Sequence, residues 1–218
     1  MNPSQFAAAI ILAAGSSSRM VEGRHKLLLP LAERPVLAHV IEAALASQAR
    51  PILVVLGHQV NDVHSQIASY TTQPGIILIE NPGYTKGMSS SMRVGLEFLM
   101  SMDVPKESSA PGSALIMLGD QPLITPQIID SLINAWRTTE KGIIAPLYDG
   151  KRGSPVLFDA SLFVELLEVT GDEGGRSILE RHREEVEMVE MGDAVANYDM
   201  DTWEAYQQVL EVWGKKGE

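Results

Sequence analysis

Ile10-Ile11-Leu12-Ala13-Ala14-Gly15-Ser16-Ser17-Ser18-Arg19-Met20, followed by Lys26-Leu27-Leu28-Leu29-Pro30, is the stretch that decides the fold. An apolar run enters small residues, then an arginine, a lysine and a proline. Small residues let backbone N–H groups approach an anion closely, and Arg19 and Lys26 would set a guanidinium fork and a point charge beside it. The pattern reads as a buried strand running into a turn that cradles phosphate. It lacks the GxxxxGK[ST] spacing, and with one glycine at the turn it is not a GxGxxG fingerprint. Taken alone, a flexible turn with two solvated cations explains it equally well.

Working outward, Phe6–Ala14 has the length of an export signal, but no lysine or arginine precedes it, so it reads as a strand. Apolar runs recur at Ala7–Leu12, Ile52–Leu56, Ile76–Ile79, Ala114–Leu118 and Ile143–Ala145. They are continuous rather than alternating, as strands covered on both faces require. Amphipathic helical patterns lie between them at Pro35–Ser47, Ser89–Met100 and Pro126–Trp136, with Thr125 placed to cap the last and Pro126 in its first turn. The alternation predicts an α/β fold of three layers, α/β/α, around a mostly parallel, Rossmann-like sheet with right-handed crossovers. Beyond Leu147 the pattern loosens, giving strands at Gly153–Phe158 and Glu187–Met191 and helices at Ser161–Val169, Ser177–Arg183 and Thr202–Trp213. Asp103–Gly112, rich in proline and serine, reads as a surface loop.

Composition narrows the function. Lys and Arg number 17 against 28 Asp and Glu, a net charge of −11, which argues against nucleic acid or anionic membrane as partner. No stretch is long enough to span a bilayer. The 218 residues contain no cysteine, which removes disulfides and thiolate chemistry and fits a cytoplasmic location. His25, His39, His58, His64 and His182 are scattered without HxxxH or HExxH spacing, so no zinc site is expected, and His39 reads as structural.

Ligands of open parallel sheets sit outside the carboxyl ends of the strands, and three polar loops fall there: Gly15–Lys26, Asn81–Ser91 and Gly119–Pro122. Asp120 directly follows an apolar strand, so its carboxylate needs a partner; it suits Mg²⁺ on a triphosphate, or else caps a turn. In Tyr198-Asp199-Met200-Asp201-Thr202, alternation puts Asp199 and Asp201 on one side. Asp201 is read toward the same metal and Asp199 as structural, with Asp201 or Thr202 alternatively the cap of the last helix. Gly87-Met88-Ser89-Ser90-Ser91 opens a helix that a serine is expected to cap, and its N-terminus could also meet an anion or a base edge. Arg152-Gly153-Ser154-Pro155 and Gly171-Asp172-Glu173-Gly174-Gly175-Arg176 are ordinary turns on spacing alone, or glycine-rich loops whose arginines suit an anionic acceptor.

This order of motifs is similar to that of the MobA-like nucleotidyltransferases, and along almost the whole chain it resembles their molybdenum cofactor cytidylyltransferase branch. The resemblance implies Mg²⁺-dependent transfer of CMP from CTP to the terminal phosphate of the molybdenum–pterin cofactor, with release of pyrophosphate. Guanylyl-transferring relatives typically open with Leu-Ala-Gly-Gly, whereas this chain has Ala14. By the same resemblance Leu12, Ala13, Ala14, Gly15, Ser16, Ser17, Arg19 and Lys26 would hold the nucleotide triphosphate, and Gly87, Ser89 and Ser90 the base and ribose. Arg19, Lys26 and Asp120 would be catalytic, Asp120 and Asp201 would bind the metal, and Arg152, Ser154 and Arg176 would meet the acceptor. Residues 1–218 would form one nucleotidyltransferase domain, nucleotide-binding to about residue 122 and acceptor-binding beyond. Molybdoenzymes or their maturation factors are the implied further partners. One departure is Val21, where the family usually has glycine, with Gly23 two residues on. A different acceptor or nucleotide (guanylyl transfer, a sugar or polyol phosphate), a nicotinamide-dependent redox enzyme and a non-catalytic cofactor carrier are the competing readings.

Overall fold

The computed structural model describes residues 6–16, 25–102, 110–192 and 197–216. Strand β1 (Ala7–Ala13) lies inside the sheet and is buried at every position. Its side chains alternate between two cores. Ala7, Ala9, Ile11 and Ala13 face one; Ala8, Ile10 and Leu12 face the other. Burial on both faces is why the run is continuously apolar, and each fully buried Ile or Leu contributes about 1.5–3 kcal/mol.

Around β1 stand β4 (Ile52–Leu56) and β6 (Ser113–Leu118), both parallel to it, with β5 (Ile76–Glu80) beyond β4. The other half adds β7 (Ile143–Tyr148), β8 (Lys151–Arg152), β9 (Val156–Asp159) and β10 (Val186–Gly192). The order across the sheet is β10-β7-β9-β6-β1-β4-β5. Helices α1 (Val36–Ala46), α2 (Val60–Thr71) and α4 (Pro126–Thr138) cover one face. Helices α3 (Met88–Ser101), α5 (Phe163–Glu168) and α6 (Arg176–Arg181) cover the other. The three layers and the mostly parallel sheet are those the sequence predicts. Thr125 caps α4 by accepting from the Ile128 N–H, with Pro126 in the first turn.

Two elements depart from expectation. β9 runs antiparallel to both β6 and β7 and begins at Val156 rather than Gly153. The chain leaves β7 through Asp149-Gly150, both at positive φ (46° and 74°), the geometry of a tight hairpin turn. Pro155 has no N–H to give a ladder, so regular pairing starts after it. Helix α2 had no counterpart in the pattern because it buries only Val63 and Ile67.

A small third core carries the site. After the first loop, β2 (Pro30–Leu31) and β3 (Arg34–Pro35) form a hairpin. Leu29, Leu31, Val36 and Leu123 pack there against Met200, Tyr206 and Val209. The last two belong to helix α7 (Trp203–Lys216). Tyr206 donates to the Pro30 carbonyl at 2.5 Å, and His39 pairs with the Leu31 carbonyl at 2.7 Å while packing edge-on against Trp213. His39 is structural, as its sequence context predicts. This core brings the chain around residue 200 beside Lys26. Among the described residues no helix is long and apolar enough to cross a membrane.

Candidate active site

A cleft of about 600 Å³ opens at the carboxyl ends of β1 and β6, within the size range of small-molecule sites. Leu12, Ala13, Ala14, Gly15 and Ser16 form one wall, Tyr84, Thr85, Gly87, Met88 and Ser91 another. Lys26, Asp120, Asp172, Asp199 and Asp201 supply its charge. Close packing shapes the rim. A Cβ on Gly57 would come within 2.7 Å of the Tyr84 Cβ and 2.8 Å of the Ala14 Cβ, so only glycine lets these two walls meet.

Lys26 sits on a short 3-10 turn, Lys26–Leu28, and its ammonium bridges two carboxylates. It donates to Asp120 Oδ2, and to Asp201 Oδ1 at 2.6 Å. The partner that a buried strand-end Asp120 requires is therefore Lys26. Burial acts to lower the Lys26 pKa, but the charges and hydrogen bonds of Asp120 and Asp201 outweigh it and hold the pKa above its ordinary value. The Met200 N–H donates to the Asp120 carbonyl at 3.3 Å, pinning the two segments together. Thr202 caps α7 by accepting from the Ala205 N–H, which leaves the Asp201 carboxylate to the cleft.

Asp199 is exposed as a residue, yet its carboxyl lies in the cleft wall and accepts from Gln121 Nε2 at 2.5 Å. Burial of that carboxyl, reinforced by the charge of Asp120 and opposed by the Gln121 hydrogen bond, pushes it up to about 6. Beside Lys26, the His25 ring is buried and stacks on His58 with centroids 5.7 Å apart. Burial holds His25 below the usual histidine range, although the His58 backbone favours the protonated ring. Neither of its ring nitrogens makes a hydrogen bond of ordinary geometry.

Among the described residues no cluster of three or more His, Cys, Asp and Glu could hold a metal ion. The chemistry of the donor set still fits Mg²⁺, which is usually held by one or two carboxylates completed by substrate phosphates and water. Asp120 and Asp201 already direct oxygens at one cationic point, the Lys26 ammonium.

Of the residues singled out in the sequence, Leu12, Ala13, Ala14, Gly15, Ser16, Lys26, Gly87, Asp120 and Asp201 line this cleft. Ser17 and Arg19 lie outside the described residues, as does the 103–109 part of the predicted surface loop. Ser89 and Ser90 are not among the lining residues. The Ser89 hydroxyl and N–H both donate to the Gly171 carbonyl, and the Ser90 hydroxyl donates to Gly83 and Gly87 carbonyls. The expected serine cap is absent too, since the N-cap of α3 is Gly87 and the Met88 N–H donates to Asp172. Arg152, Ser154 and Arg176 are not among the lining residues either; Arg152 lies on β8 and Arg176 at the start of α6.

Ser91 is the lining serine that spacing did not single out. It is buried, and its Oγ accepts from Asn81 Nδ2 at 2.9 Å. The same amide group holds Ser90, while Asn81 Oδ1 accepts from the Gly83 N–H. Asn81 thus fixes the start of α3 and leaves the Ser91 hydroxyl hydrogen available to a ligand. A serine one turn into a helix that opens on the strand ends was the available signal.

Comparison with known proteins shows the family and the fold. The family model of the MobA-like NTP transferase domain matches residues 9–186. The molybdenum cofactor cytidylyltransferase of Escherichia coli strain K12 is 30% identical over 159 residues, which is 73% of either chain. The crystal structure of Rv0371c from Mycobacterium tuberculosis H37Rv superposes with a TM-score of 0.77 at 25% identity, covering 95% of this chain and 99% of that one. A homolog of it from Mycobacterium sp. strain JC1 gives a TM-score of 0.79 at 27% identity over 98% of both.

Proposed function

The chain belongs to the MobA-like NTP transferase family, and from that premise we propose that this nucleotidyltransferase moves CMP from CTP to the terminal phosphate of the molybdenum–pterin cofactor and releases pyrophosphate. The observation that carries the reading is the convergence of Asp120 and Asp201 on the Lys26 ammonium inside the strand-end cleft. The similarity to a molybdenum cofactor cytidylyltransferase supports the choice of nucleotide and acceptor.

The attacking group would be a phosphate oxygen that is already anionic near neutral pH, so no general base is required. No histidine is among the described residues that line the cleft. Alignment and charge control remain as the catalytic task. Mg²⁺ held by Asp120 and Asp201 would supply charge stabilisation at the α-phosphate and the departing pyrophosphate. Lys26, whose raised pKa keeps it protonated, would exchange its carboxylate partners for phosphate oxygens. Arg19, assigned from sequence, would add a second cation. Small residues Ala13–Ser16 give the nucleotide close access to backbone N–H groups, and the Ser91 hydroxyl would donate to an acceptor atom of the base.

Pyrophosphate release tests the proposal, with Mg²⁺, purified molybdenum–pterin cofactor, and CTP, GTP, ATP and UTP in parallel. Release with CTP alone supports it, and release with GTP alone moves the reading to guanylyl transfer. No release with any nucleotide refutes it. Calorimetry with CTP then separates a carrier, which binds, from an enzyme for another acceptor.

A further inference from the structure

We infer that Asp172 is a positioning residue for the nucleotide: from a loop of the C-terminal half, it caps the helix that forms the base-side wall of the cleft. The inference rests on the nucleotidyltransferase reading above. Helix α3 is 14 residues long and opens on the cleft with Gly87 at its N-cap, a residue with no side chain to satisfy the first N–H groups. The neighbouring loop does so instead. Asp172 Oδ1 accepts from the Met88 N–H at 3.0 Å. The Gly171 carbonyl accepts from the Ser89 N–H at 3.0 Å and from the Ser89 hydroxyl at 2.7 Å.

The two segments fit with no space between them. Gly87 has φ +99°, and a Cβ there would lie 2.5 Å from the Gly171 carbonyl and 2.8 Å from Asp172 Oδ1. At its other end the loop is seated on the sheet, where a Cβ on Gly175 would come within 2.4 Å of the Phe158 ring. The loop, which joins α5 to α6, thus reaches from the Phe158 ring to the cleft, and Asp172 lines the cleft beside Gly87, Met88 and Ser91. The first half of Gly171–Arg176, a stretch that reads in sequence as an ordinary turn or as a loop whose arginine suits the acceptor, serves the nucleotide side. Asp172 holds the first turn of α3, and that turn sets where Gly87 and the Ser91 hydroxyl stand.

The test compares wild type, Asp172→Ala and Asp172→Asn in two measurements. Hydrogen exchange at the Met88 and Ser89 amides reads the cap in the free protein, and calorimetry with CTP and Mg²⁺ reads nucleotide affinity. Asp172→Ala should speed exchange at these amides and raise the CTP Kd about fivefold, the usual scale of a lost cap. Asn caps as well as Asp, so Asp172→Asn should stay within about twofold of wild type in both. Faster exchange with an unmoved Kd overturns the inference, because the cap would then be structural only. A Kd raised equally in Asp172→Asn overturns it too, because the charge would then act on the ligand directly. Failure of the wild type to bind any nucleoside triphosphate overturns the reading of the cleft, and the inference with it. Normal wild-type binding with an unmoved Asp172→Ala Kd overturns the inference alone.

Discussion

Replacing Lys26 by methionine keeps an unbranched apolar stem and removes the charge that joins Asp120 to Asp201. Removing one partner of a fully buried ion pair costs about 3–5 kcal/mol, because the other charge is stranded. Here the Lys26 and Asp120 side chains are 16% and 10% exposed, but Asp201 is 43% exposed and can turn to solvent. That leaves a loss of about 2 kcal/mol, which lowers the melting temperature by roughly 4–8 °C for a chain of this size. The assay is thermal unfolding of both proteins in EDTA and in excess MgCl₂. In EDTA the variant should melt lower. With Mg²⁺ it should recover more than the wild type gains, because the cation no longer competes with an ammonium for the Asp120 and Asp201 carboxylates. Turnover should still fall about 10²-fold or more, since the charge offered to the phosphates is gone. A variant that melts with the wild type in EDTA and responds no more strongly to Mg²⁺ refutes the placement of one cation site between Asp120 and Asp201.

Asp199, pushed up to about 6, binds its proton more tightly folded than unfolded, so the stability it contributes is present below about pH 4 and lost as pH rises through 6. Asp199→Asn should therefore gain on the wild type between pH 4 and pH 7 in chemical unfolding, and a constant difference across that range contradicts the assignment. Gly57→Ala forces a methyl against Tyr84 and Ala14 and should cost about 1–3 kcal/mol, read as a lower denaturation midpoint; an unchanged midpoint contradicts the packing. Ser91→Ala should raise the CTP Kd about fivefold, on the order of one hydrogen bond, and an unchanged Kd removes Ser91 from the base site.

The parts of this molecule legible in its sequence are those encoded locally. The continuous apolar runs gave the sheet, Thr125-Pro126 the start of α4, and the polar residues at strand ends the cleft. Asp120 could be read as needing a partner because a carboxylate after a buried strand always does. That the partner is Lys26 could not be read, since the two meet across 94 residues through the hairpin and α7 core. The trans cap on α3 was hidden for the same reason, with Met88 and Asp172 lying 84 residues apart. Asp149-Gly150 was a local signal for the hairpin after β7, and through it for the reversed strand β9. Helix α2 buries too little to leave a strong periodic pattern.

Nucleotidyl transfer at the cleft that holds Lys26, Asp120 and Asp201 is best tested by following the α-phosphate. CTP labelled at that phosphorus is incubated with Mg²⁺ and molybdenum–pterin cofactor, using wild type and Asp120→Asn. Label should move onto the cofactor with wild type, and at least about 10²-fold more slowly with the variant. Label that never leaves CTP with wild type, or that moves equally fast with Asp120→Asn, would contradict it.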